Sequence, residues 1–413
     1  MRISRPRFTR SIFLLLNLIL LSVFTSGQRC STSEYQQHYS SKASTVGLTS
    51  DHSFKNLLTE EMVVIPVVIH VLYNTPEQNI SDAQILSQIQ SLNKDFRKLN
   101  ADTGNVPGAF KLVSADAGIV FCLAKKDPNG NATSGIIRKY TSTQTWSLDD
   151  KMKFSASGGD NAWDSKHYLN IWVCNLVGRS LGYSSLPGSQ PDKDGLVIQY
   201  NAFGTVGTLS VPFNKGRTAT HEAGHWLGLI HLWGDANCGD DGVDDTPQQQ
   251  SFNHGCPIFP HKTICSKNND GDMFMNFMDF TDDACMNMFT VGQKNKMKSL
   301  FAKGGLKNTF LSSSGCDVGL AQAGPVLTEA SSAISSVSLY PNPASSFVFV
   351  EPNSASSFVG QQVKIFDVYG NPTLSKKLNS QKNFIPIATF PNGIYFLQIQ
   401  EWGKTKMIKF VKQ

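Results

Sequence analysis

From Met62 to Tyr73 the chain reads MVVIPVVIHVLY, a nearly continuous apolar run rich in β-branched residues, as in a strand buried on both faces. Pro66 has no backbone donor, so this strand is expected to be regular only if Pro66 falls at a bulge or at the start of its ladder. Ser81 can cap the helix that follows, where Ile85, Ile89, Leu92 and Phe96 recur at helical spacing and predict a helix to about Leu99. Shorter runs at Gly118–Ala124, Ile136–Tyr140, Leu169–Leu176 and Gly195–Tyr200 predict further strands, with Trp163 and Trp172 expected in core or edge packing. Thr218–Trp233 reads as a helix ending near Gly228, and Thr290–Phe301 as a closing helix. The pattern predicts a mixed α/β (α+β) unit with a twisted sheet.

Beyond the Ser/Gly-rich stretch at 312–315, residues 317–335 are small and weakly patterned, as in a linker. From Val337 the period shortens to alternating strands at Phe347–Glu351, Gln362–Phe366, Ile385–Ala388, Gly393–Gln400 and Lys406–Val411. A separate, small all-β, sandwich-like module is expected there.

Length and charge add limits. At 413 residues, two or three domains are expected. A net charge of +5, partly owed to Arg2, Arg5, Arg7 and Arg10, implies no nucleic-acid partner. Residues 1–27 combine that basic start with the apolar run Ile12–Phe24 and small residues, the pattern of a cleaved export signal. A retained anchor is the alternative, but the run is short for a bilayer, and no later stretch is apolar enough to span one. Residues 28–61 are polar with little periodicity and read as a pro-segment.

Eight cysteines accompany this export pattern. Cys238, Cys256, Cys265 and Cys285 lie close together in sequence, so two local disulfides are expected, with three pairings open. A thiolate zinc site is the competing reading, disfavoured because the close spacing of zinc knuckles is absent.

The segment His221–Glu222–Ala–Gly–His225–Trp–Leu–Gly228–Leu–Ile–His231 carries the chemistry. Residues four apart share a helix face, so His221 and His225 can serve one metal with Glu222 beside them. Gly228 lets the backbone leave the helix and bring His231 round as third ligand. Three neutral imidazoles with one open position suit catalytic zinc; cobalt or iron are the weaker options. A carboxylate next to such a metal is placed to act as general base in hydrolysis. A buried, hydrogen-bonded histidine explains one such residue but not all three at this spacing.

These residues resemble the metzincin consensus, and their surroundings, GRTATHEAGHWLGLIHLWG, DDGVDDTP and MNFMDFTDDACMNMFT, are similar to the pappalysin family over about Met62–Cys316. The resemblance implies a zincin fold, zinc-dependent endoproteolysis of proteins or peptides, and Met278 in a tight turn beneath the metal. It also places Phe280 where this branch usually has a tyrosine, so a hydroxyl is missing there. It implies the pairs Cys238–Cys265 and Cys256–Cys285. The acidic loop Asp240–Thr246 is either solvated or built around a hard cation; the resemblance implies structural Ca2+ on Asp241, Asp245 and the Thr246 carbonyl. Asp282 and Asp283 are candidates for attracting a basic side chain after the scissile bond, as in some pappalysins, with calcium binding or a solvent-facing pair as the alternatives. Cys30 is a candidate latency ligand, since a thiolate can take the metal's open vertex until the pro-segment is cut.

The C-terminal stretches Val337–Ala344, Val363–Gly370, Pro391–Phe396 and Lys406–Lys412 resemble the sorting domain read by the type IX secretion machinery of Bacteroidetes. That likeness implies passage through the periplasm and release or display at the cell surface; a substrate-binding β-module is the alternative. The expected division is 1–27 signal peptide, 28–61 pro-segment, 62–316 protease domain, 317–335 linker and 336–413 sorting domain. The competing function is an extracellular, metal-stabilised binding or adhesion protein with weak or lost catalysis.

Overall fold

A computed structural model describes residues 29–38, 62–266, 270–313, 315–316, 337–352, 359–367, 371–380, 382–401 and 404–413. The expected signal, most of the pro-segment and the linker lie outside the described residues. Among those described, no helix is long and apolar enough to cross a membrane.

A short helix α1 (Thr32–His38) precedes the long strand β1 (Val63–Tyr73). Helix α2 (Asp82–Phe96) starts as expected on Ser81, whose hydroxyl accepts the Gln84 N–H, but ends before Leu99. After the two-residue strand β2 (Ser114–Ala115) come β3 (Ile119–Leu123), β4 (Ile136–Tyr140), β5 (Leu169–Cys174), β6 (Gly182–Ser184) and β7 (Leu196–Gln199). The order β3-β1-β5-β7-β6 makes one sheet, with β4 also pairing on β1. All pairs are parallel except β6 on β7, so β6 is an antiparallel edge. Strand β1 stays regular through Pro66 because its ladder with β5 begins only at Val67.

The odd-numbered residues Ile65, Val67, Ile69 and Val71 of β1 point to a core shared with Ile85, Ile89, Leu92 and Phe96 of α2 and with Ala219, Ala223 and Trp226 of helix α3 (Arg217–Trp226). The opposite face holds Leu72, Trp172, Cys174, Tyr183, Trp146 and Met152, joined by Tyr35 of α1. Trp172 is therefore core, and Trp163 packs edge-on against Tyr168.

Strand β8 (Phe289–Thr290) pairs with β2 and runs into helix α4 (Val291–Ser299). Thr290 and Gln293 form a reciprocal capping box. The Gln293 side chain also exchanges two hydrogen bonds with Asn276, whose Oδ1 in turn accepts the Met278 N–H. The cap of α4 thus fixes the turn that presents Met278. Disulfides join Cys122–Cys316, Cys238–Cys265 and Cys256–Cys285, while Cys174 is a buried free thiol.

The C-terminal region forms two antiparallel sheets, β13-β10-β9 and β12-β11-β14-β15. Their strands are β9 (Val337–Tyr340), β10 (Phe347–Pro352), β11 (Gln362–Asp367), β12 (Pro372–Lys377), β13 (Asn383–Pro386), β14 (Gly393–Glu401) and β15 (Lys404–Lys412). Val348, Val350, Val363, Ile365, Leu397, Ile399 and Phe410 fill the space between them. Strand β12, PTLSKK, lies at a sheet edge with little buried apolar surface, so its sequence carries no strong alternation.

Candidate metal centre and cleft

Helix α3 places His221 and His225 one turn apart, both buried. Gly228, at φ 86°, turns the chain out of the helix in a conformation that favours glycine. The turn returns His231 to the same point. His225 Nε2 lies 3.1 Å from Nε2 of His221 and 3.1 Å from that of His231.

The outer nitrogens settle which atoms face inward. His221 Nδ1 bonds the Phe277 carbonyl at 2.7 Å and His225 Nδ1 the Leu229 carbonyl at 2.9 Å. A carbonyl only accepts, so each Nδ1 carries the proton and each Nε2 turns a lone pair to the centre. His231 Nδ1 instead bonds the carboxylate of Asp235, and the Trp233 indole stacks flat on its ring at 4.4 Å. Asp235 sits at φ 55°, a left-handed conformation rare outside glycine.

Cys30 Sγ completes the group, 3.4 Å from His225 Nε2. The ligand atoms of Cys30, His221, His225 and His231 all lie within 4.8 Å of one another, and among the described residues no other group of His, Cys, Asp and Glu has metal-holding geometry. Burial and the neighbouring imidazoles hold His221 well below the usual histidine range, and burial with His231 holds His225 near 3. Neutral lone pairs converging without a proton between them need a cation. Tetrahedral zinc bonds of ~2.1 Å imply donor separations of about 3.4 Å, so these residues fit zinc.

Glu222 is buried beside this group. Its Oε2 accepts the Thr32 hydroxyl at 2.8 Å, and the Cys30 thiol lies beside the same carboxyl. Burial pushes its carboxyl up to about 8, against the opposing pull of that hydrogen bond. Met278 lies beneath α3: a Cβ on Gly224 would come within 2.4 Å of its sulfur. Phe280 packs against His231 and His221, with ring centres 4.9 and 5.6 Å away.

The N-terminal segment threads this cleft. Ser31 N–H donates to the Gly182 carbonyl, and the Thr32 hydroxyl also accepts the Ser184 N–H, so the segment follows the edge strand β6. Arg29 is fully buried. Its Nη2 donates to Asp283 Oδ1 and to the Thr281 carbonyl, each at 2.7 Å, while its guanidinium lies over Phe213. The other Asp283 oxygen accepts the N–H groups of Lys215 and Arg217. Asp282, half-buried, is held through its backbone to Gly255 instead.

The acidic loop is hydrogen-bonded within itself at Asp241 and to the start of α4 at Asp245. Asp241 accepts the Thr246 hydroxyl and the Val243 N–H, and Asp245 accepts the Thr290 hydroxyl and the Gly292 N–H. Burial pushes the Asp241 carboxyl up to about 6.

Residues Asp235, Thr32 and Arg29 of this site carry no signal in the sequence. Asp235 reaches His231 only through a left-handed turn, and Arg29 and Thr32 act from a segment whose course along β6 is a tertiary feature.

The family model for peptidase M43, pregnancy-associated plasma protein-A, matches residues 155–302, and that for the secretion system C-terminal sorting domain matches 338–413. An extracellular metalloprotease of Pyricularia oryzae is 32% identical over 257 residues, 59% of this chain and 77% of the relative. Mature mirolysin of Tannerella forsythia, solved with a cleaved peptide, is 52% identical at a TM-score of 0.59, covering 60% of this chain and 95% of that one. A promirolysin mutant from the same organism is 52% identical at 0.60, covering 61% and 85%. The C-terminal module directs secretion by the type IX route. With its zincin helix, its convergent imidazoles and these relatives, the chain belongs to the M43 family of zinc-dependent metallopeptidases.

Proposed function

We propose that His221, His225 and His231 hold the zinc and that Glu222 is the general base of an exported, latent endopeptidase acting on extracellular proteins. The observation that carries this is the meeting of three Nε2 lone pairs beside a buried carboxylate. Zinc bound there supplies a Lewis acid for water and for the scissile carbonyl. Glu222 takes the proton of the attacking water and passes it to the departing amine. Gly182 and Ser184, which now bond Ser31 and Thr32, offer the same backbone groups to a substrate strand. Asp283 receives the basic side chain that follows the scissile bond, a place held in the latent chain by Arg29. Phe280 contributes no hydroxyl and acts as an apolar wall.

Residues 28–61 form the pro-segment, in which Cys30 would ligate the zinc beside the three histidines and Thr32 holds the base. The remaining boundaries are 1–27 for the signal, 62–316 for catalysis, 317–335 for the linker and 336–413 for sorting. A calcium ion on Asp241, Asp245 and the Thr246 carbonyl is the further assignment, supported by the buried acidic side chain of Asp241.

The test is cleavage of casein by the matured protein. Glu222→Ala should abolish it while zinc content is retained. Equal inertness of wild type and variant toward a broad peptide library would instead support a metal-stabilised binding protein.

A further inference from the structure

Arg29, Cys30 and Tyr35 fill three successive sites: the Asp283 pocket, the metal centre and, on the face of the sheet opposite α3, a pocket against Tyr183 of β6. Cys30 lies between the other two in sequence. Given the proposed function, in which Asp283 takes the residue after the scissile bond, Tyr35 marks the side occupied by residues before it. Its helix keeps to the same edge strand, with Gln36 Nε2 on the Ser184 carbonyl at 3.4 Å.

The Tyr35 pocket is built from buried polar groups. The phenol donates to Asp150 Oδ2 at 2.6 Å, and its ring lies 4.7 Å from that of Tyr183. Asp150 Oδ1 accepts the Tyr183 hydroxyl at 3.1 Å and pairs with Lys153 at 2.9 Å. The Lys153 ammonium, fully buried, lies over the rings of Tyr35, Trp172 and Tyr183 at 5.2–5.5 Å. Asp150 holds a left-handed backbone, φ 61°, a conformation that persists only where the surroundings fix it.

We propose that this pocket, once the pro-segment leaves, is a substrate subsite on the non-primed side that selects tyrosine. Asp150 is already balanced by Lys153 on one oxygen, with Lys193 3.9 Å from the other, so a cationic occupant meets two ammonium groups without gaining an uncompensated carboxylate. Phenylalanine fills the aromatic walls but leaves Asp150 Oδ2 without the donor it has now. A phenol satisfies both, as Tyr35 does.

The test uses the matured enzyme and quenched fluorescent peptides with arginine after the scissile bond and Tyr, Phe, Lys or Ala at each of the four preceding positions. At one position, kcat/KM for Tyr should exceed that for Phe by about tenfold, the order expected for one hydrogen bond to a charged group, with Lys poorest. Equal rates for Tyr and Phe at all four positions, in peptides that are otherwise cut, overturn the proposal. Asp150→Asn should bring the Tyr/Phe ratio toward one. Because that variant strands Lys153, the double replacement Asp150→Asn with Lys153→Met provides a charge-balanced second case; a ratio unchanged in both overturns the proposal. Peptides cut equally well without arginine would instead refute the role of Asp283, and with it the assignment of sides.

Discussion

The Thr32 hydroxyl donates to Glu222 Oε2 at 2.8 Å, two residues from a thiol that stands 3.4 Å from His225 Nε2. One short segment therefore engages both the carboxylate and the group of metal donors that the proposed hydrolysis uses. Cys30→Ala should give activity before maturation in the full-length protein, and Thr32→Val a smaller gain with Cys30 intact. Activity of uncleaved protein, followed with the pro-segment monitored by mass, checks this; unchanged latency in Cys30→Ala would refute the thiol's role.

Gly224 faces the sulfur of Met278 with no room for a side chain. Gly224→Ala must push the methionine turn away from α3, at a cost of roughly 1–3 kcal/mol for overpacking. Thermal unfolding should show lower stability, and dialysis should remove zinc more readily than from wild type. A variant with both properties unchanged would mean that the turn is free to yield.

Asp235 sets the third histidine apart, because its partner is a carboxylate while His221 and His225 bond neutral carbonyls. Removing such an outer partner costs about 10–100-fold in metal affinity. Asp235→Ala should lose zinc to a competing chelator at correspondingly lower concentrations. Asp235→Asn, which keeps an acceptor without the charge, should fall between the two.

Asp241 carries a pH signature. Burial raises its carboxyl from the ordinary 3.8 to about 6, so the folded chain holds this proton after the unfolded chain has released it. The stability this contributes is present below about pH 4 and is lost as pH rises through 6. A cation on the loop would offset that loss. Calcium should therefore raise the melting temperature clearly at about pH 7.5 and little at about pH 5, and equal effects at both would argue against Asp241 as a ligand.

Much of this architecture is legible because local and tertiary demands agree. The β-branched run of β1 serves as a central strand, Ser81 and Thr290 cap the helices that follow them, and the spacing of His221, His225 and His231 puts the proposed metal donors within one helix and its turn. Strand β6 is harder to find, since Gly182–Ser184 is three residues long and its pairing depends on β7. In the C-terminal module, one strand spans Asn383–Pro386 where Ile385–Ala388 was expected, because Ile385 and Ile387 both point inward although the ladder with β10 stops at Pro386. Partners such as Asp283 for Arg29 lie too far apart in the chain for any local pattern to reveal them.

The Cys122–Cys316 bridge ties strand β3 to the last described residue before position 337. A pull on the chain beyond Cys316 is thus shared with the central sheet through a covalent bond, and α4 does not bear it alone. A cut between residues 316 and 338 would release the sorting domain and leave Cys316 fastened to β3.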